Sequence, residues 1–179
     1  MTSQYLLLTC APMFGLLLWA AAEDLRSRTI PNWLSFSIII GGFAQSFLPH
    51  ATVSPTDSLL GFGTGFGLTF FIFALGALGG GDVKLLAGVG AWLGPAGALA
   101  VFCVEAIVGL VIVVSQAVAQ GRMKTLLRNS TVVAINLVHV GDVGVDHVSQ
   151  TGQSCRSVER PLPFAVPVLL AALAVVALA

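Results

Sequence analysis

The chain has 179 residues, 56% of them hydrophobic and only 9% charged, against roughly 25% charged in ordinary soluble domains. Eight acidic and eight basic residues leave no net charge, so the composition excludes both a water-soluble core and an electrostatic nucleic-acid binder. The cysteines Cys10, Cys103 and Cys155 are odd in number and form no CxxC, which excludes a disulfide framework and a zinc knuckle.

Residues 5–22 are apolar and end in Ala20-Ala21-Ala22, a sequence compatible with signal-peptide cleavage. No Lys or Arg precedes the run, however, and it is longer than the roughly 7–15 apolar residues of a signal peptide. It reads as a retained transmembrane helix. Apolar runs then occupy about 32–48, 58–79, 83–94, 96–118 and 161–178. With 4–22 they make six, of which five approach or exceed the ~17–20 residues a helix needs to span the hydrocarbon. The fourth is only about a dozen residues long and is closed by Gly94-Pro95. At ~1.5 Å per residue it covers under 20 Å, so it begins or ends within the thickness of the membrane; its beginning is the Asp82 segment, which fits a water-accessible recess rather than lipid.

Charge placement supports six crossings. The first, third and fifth connections hold Arg26 and Arg28, then Lys84, then Arg122, Lys124, Arg128, Arg156 and Arg160, which are all eight basic residues. The opposite side holds His50 and Asp57 instead. Basic residues stay in the cytoplasm, so the reading is an all-α, multi-pass membrane protein with both termini outside. It forms a single membrane domain over 1–179, and residues 119–160 are its cytoplasmic loop. The first half of that loop, 122–140, alternates basic and apolar residues as a helix lying along the headgroups does. The second half, 141–159, reads as a loop.

Two acids stand at cytoplasmic boundaries, Asp24 in Asp24-Leu25-Arg26-Ser27-Arg28-Thr29-Ile30-Pro31-Asn32 and Asp82 in Gly79-Gly80-Gly81-Asp82-Val83-Lys84-Leu85. A carboxylate beside hydrocarbon costs a few kcal/mol or more, so in a chain this apolar it is a functional candidate. Taken singly, Asp24 also fits an interfacial residue paired with Arg26 or Arg28, and Asp82 an N-cap of the fourth helix. Taken together they fit peptide hydrolysis. One group removes a proton from water while another donates one to the carbonyl oxygen or leaving nitrogen. Two neighbouring carboxyls do both, because their repulsion keeps one protonated while the other ionises. The titration belongs to the pair, and neither acid takes a fixed role. Gly79, Gly80 and Gly81 let substrate backbone approach and loosen the helix before Asp82. Lys84 either tunes the pair or marks the headgroup boundary. Pro31 suits the first turn of the second helix, and Asn32 is placed to orient the site.

Other features read as structural. Gly61, Gly63, Gly65 and Gly67 fail GxGxxG, since Phe66 interrupts it, and form overlapping GxxxG pairs of a helix-packing face. His139, Asp142, Asp146 and His147 have ligand chemistry without metal-site spacing, as in a solvated loop. Glu105 falls near the middle of the fifth span, where an acid is functional or else protonated and hydrogen-bonded. It is read as structural.

Asp24 with Ile30-Pro31-Asn32, and Gly79-x-Gly81-Asp82-x-Lys84-Leu85, resemble the type IV prepilin peptidase family, bacterial intramembrane aspartic proteases of the GxGD type. Helix order, both motifs and their cytoplasmic placement extend the likeness over nearly the whole chain. Arg160-Pro161-Leu162-Pro163-Phe164, before the last helix, adds a weaker one. Larger members carry a cytoplasmic insert with paired CxxC motifs and also methylate the new pilin terminus. Here nine residues separate the first two apolar runs and no CxxC exists, so the chain resembles the short, peptidase-only branch serving Flp-type (tight-adherence) pili.

The resemblance implies an aspartic endopeptidase of the bacterial cytoplasmic membrane that removes the leader of prepilins or pseudopilins. It uses Asp24 and Asp82, with no metal and no cofactor. The cut follows a glycine just before the substrate's apolar helix, which lies in the bilayer beside the enzyme. Homo-oligomerisation is left open. Two rivals come from other classes: a small proton-coupled transporter using Asp82 and Glu105, and a non-catalytic assembly factor. The presenilin type also shares GxGD, but its partner acid follows a tyrosine within a span, whereas Asp24 follows Glu23 at the end of one.

Overall fold

The computed structural model describes residues 3–74, 78–124, 127–128 and 164–178, with the backbone alone at 3–8. Most of the 119–160 connection lies outside the described residues, with Cys155, His139, Asp142, Asp146, His147 and Arg156. So do Arg160, Pro161, Leu162 and Pro163. Among the described residues the chain is all helical, with α1 (Ser3–Ser27), α2 (Asn32–Gln45), α3 (Pro55–Ala74), α4 (Gly80–Ala119) and α5 (Ala165–Leu178).

On α1 the buried positions are Cys10, Met13, Leu17, Ala20, Ala21 and Asp24. Steps of three and four residues put them on one face, so Asp24 continues the stripe that packs inward. The helix runs beyond the apolar residues to Ser27, because Glu23-Asp24-Leu25-Arg26 holds no helix breaker. It stops at Arg28, whose φ is 55°. The connection to α2 is therefore 28–31, shorter than the apolar pattern suggested. Pro31 (φ −58°, ψ 134°) caps α2 from outside rather than occupying its first turn.

Glycines bring α3 and α4 to backbone contact. A Cβ on Gly61 would overlap the Gly90 carbonyl oxygen, and one on Gly65 would lie 2.5 Å from that of Leu86. Gly63 and Gly67 have nothing within 4 Å. The expected packing face is thus the Gly61/Gly65 pair alone.

Gly94 breaks α4 with φ 73° and ψ −178°, a conformation glycine adopts without strain. Pro95 has no N–H, so the Ala91 carbonyl loses its helical donor. Ser58 Oγ replaces it at 2.7 Å, and Thr52 Oγ1 donates to the next carbonyl, Trp92 O, at 2.8 Å. The break folds the helix on itself. A Cβ on Gly90 would stand 3.2 Å from that of Ala98, whereas eight residues of straight helix rise about 12 Å. The arms 80–93 and 95–119 thus correspond to the separate fourth and fifth apolar runs.

The core joins α1, α2, both arms of α4 and α5 through Leu17, Ile38, Leu86, Val89, Val101 and Val168. By length and composition, Pro55–Ala74 and Gly80–Ala119 are able to cross a membrane, and Ala165–Leu178 is a shorter apolar helix. Trp19, Phe71, Ile107 and Leu110 are among many large apolar side chains pointing outward. So much exposed hydrocarbon suits lipid rather than water.

Candidate active site

Asp24 lies in the last turn of α1 and is 6% exposed. A carboxylate there faces the negative end of its own helix dipole, which is unfavourable. The start of α5 compensates. The N–H of Ala165, an orphan donor of the first turn, donates to Asp24 Oδ2 at 3.0 Å. The positive end of α5 thus supports the carboxylate that the end of α1 disfavours.

Asp82 sits in the opposite setting, in the first turn of α4, where the helix dipole favours an acid. Its Oδ2 accepts the Gly79 N–H at 3.1 Å, the reach-back of a third-position acid in a capping box. Gly79, not Asp82, therefore holds the N-cap position. The loosened helix expected before Asp82 is the start of α4 itself. A side chain on Gly79 would put its Cβ 3.0 Å from Asp82 Oδ2 and press on the acid. A Cβ on Gly81 would make only ordinary contact with Ile30, and one on Gly80 with Phe73.

Both acids line one recess of about 360 Å³, with Arg28, Thr29, Ile30, Asn32, Gly79, Gly81 and Phe164. The charge of Asp24 reaches Asp82. Residues distant in sequence thus present two carboxyls to a common space, with Ile30 and Phe164 as apolar wall. Lys84 and Gly80 lie outside that wall. Lys84 Nζ donates to Asn32 Oδ1 at 2.9 Å and stands 5.8 Å from the Phe36 ring centroid. It ties the start of α2 to the start of α4.

Two contributions escaped the sequence reading. Phe164 and the Ala165 N–H come from the far end of the chain, where the proline-containing approach to the last helix was the available signal. Glu105, read from the sequence as structural, lies on the second arm of α4 and is 4% exposed. The break at Gly94-Pro95 folds that arm back along the first.

Residues 11–114 match the family described as the type IV leader peptidase family, a stretch holding both acids, the Gly79–Asp82 turn and Glu105. Over 79 residues the chain is 42% identical to the preflagellin peptidase of Methanocaldococcus jannaschii, covering 42% of this chain and 33% of that protein. The chain thus spans about a third of the length of the relative it matches. No solved structure matches.

Proposed function

The chain belongs to the type IV leader peptidase family, and from that premise we propose that it is an aspartic endopeptidase removing the leader of Flp-like prepilins at the cytoplasmic face of the membrane. The observation that carries this reading is the convergence of Asp24 and Asp82 on one recess. One carboxylate takes a proton from water as the oxygen attacks the scissile carbonyl, and the other, protonated, donates to the carbonyl oxygen. The tetrahedral species collapses when the leaving nitrogen is protonated from the same pair. Gly79 and Gly81, without side chains, leave room for an extended peptide beside the acids. Ile30 and Phe164 border it with apolar surface, suited to the first residues of the substrate's helix.

The placement of all eight basic residues in the first, third and fifth connections supports a cytoplasmic site. The short 28–31 connection supports a peptidase without methylation, because it leaves no room there for a further domain. The transporter reading uses Asp82 and Glu105 but gives Asp24 no part, whereas the recess places Asp24 with Asp82. The named relative is a preflagellin peptidase, so archaeal-type preflagellins are the natural second substrate to try. The test is co-expression with a Flp-type prepilin or a preflagellin, read by gel shift and by mass spectrometry of the new terminus. The expected product has lost its leader and carries a free, unmethylated amine. An uncut prepilin, with preflagellin cut, would move the substrate class; a methylated product would overturn the peptidase-only reading.

A further inference from the structure

The fold at Gly94 carries a third acid to the level of the pair. Gly90 and Ala98, four residues before and after Gly94, lie so close that a Cβ on Gly90 would stand 3.2 Å from that of Ala98. Asp82 stands twelve residues before Gly94 and Glu105 eleven after it, so at equal rise along the two arms they lie at one height. The field of Asp82 reaches Glu105. The Glu105 side chain is buried, and its Oε2 has no hydrogen-bond partner among the described residues. Ser35 Oγ and Gln116 Oε1 are also unpartnered, but neither group ionises. A buried acid is expensive, and an apolar side chain of like volume would fill the space at less cost. What Glu adds at this position is an acid within electrostatic reach of Asp82.

We propose that Glu105 is a positioning residue of the cleavage site, its buried carboxyl acting on the reaction through Asp82. The proposal rests on the reading of Asp24 and Asp82 as the catalytic pair. Glu105 sets how readily Asp82 takes up and returns its proton, either by its charge or by a hydrogen bond that supplies Oε2 with its partner. The charged groups on the surrounding elements are few. On the first arm the other charge is Lys84, which is bound to Asn32. From α1 and the turn after it, Asp24 acts on Asp82, Arg28 lines the same recess, and Glu23 and Arg26 are the other charges of that element. The acid of α3, Asp57, stands by Gly94 at the far end, and neither α2 nor α5 carries an ionisable side chain.

The experiment uses the full chain in lipid vesicles with a cleavable prepilin, comparing wild type with E105Q, E105M and D82N. Thermal unfolding, kcat, KM and the pH dependence of kcat are read for each. E105Q keeps the shape without the acid, and E105M is an apolar replacement that an apolar helix accepts readily. The expected result is wild-type insertion and KM, kcat lowered about tenfold, and a pH–kcat profile displaced by about one unit. A packing role would move the unfolding temperature and leave the profile in place. Wild-type kcat and profile in either inserted variant would overturn the proposal, as would failure of both to insert. D82N separates the two levels. If it is silent while the Glu105 variants behave as wild type, this proposal alone fails. If it still cuts, the catalytic pair fails and this proposal with it.

Discussion

Asp24 and Asp82 reach the recess from opposite kinds of helix end, and each is held by a backbone N–H from a different place in the chain. Two carboxyls in near-hydrocarbon surroundings were legible in the sequence because such groups are costly without a purpose. Their supports were not, since a bond such as Lys84–Asn32 joins residues far apart in the chain. That bond gives a prediction. Lys84→Met and Asn32→Ala should each lower cleavage about two- to tenfold, the worth of one partly exposed hydrogen bond. The double variant should lose no more than the worse single one, because both remove the same interaction. Steady-state kinetics of the three variants check it; additive losses would mean that the two residues act separately.

At the scale of elements, Gly94-Pro95 was readable as a stop because the two residues leave the helix for different reasons, one by its φ and one by its missing N–H. The end of α1 was misjudged because apolar pattern reports lipid and core, whereas the polar turn 23–27 still favours helix. Contact of α5 with Asp24 was hidden because the proline-containing approach to α5 marks where a helix begins, not what its first N–H meets. Ala165→Pro tests that contact. Proline suits a first helical position but cannot donate, so leader cleavage should fall about 10–100-fold, as for a hydrogen bond to a charged group. Membrane insertion should be retained; undiminished cleavage would show that the N–H is dispensable. The α3–α4 seam gives a stability prediction. Gly61→Ala forces a Cβ onto the Gly90 carbonyl and should destabilise by about 1–3 kcal/mol or more. Gly63→Ala, in open space, should be neutral or slightly stabilising. Thermal unfolding in detergent ranks them, and equal Tm values would contradict the seam.

For the whole molecule, the hydropathy pattern gave the helical class, and the structure bears it out among the described residues. The six-crossing topology rests on charge placement, which orients a chain through the membrane field rather than through any contact between helices. It predicts that Cys155 faces the cytoplasm. A membrane-impermeant thiol reagent should miss Cys155 in intact cells and label it after permeabilisation, and labelling from outside would reverse the orientation. Cys10, buried in α1, serves as the unreactive control. The central claim, that two acids from separate helix ends make one catalytic pair, is tested most directly by a leader-cleavage assay on Asp24→Asn, Asp82→Asn and Asp57→Asn. Asn keeps size and polarity but cannot ionise. Loss of cleavage in the first two, with normal insertion, and near wild-type cleavage by Asp57→Asn is the result predicted. An Asp82→Asn protein that inserts normally and cuts at the wild-type rate would contradict it.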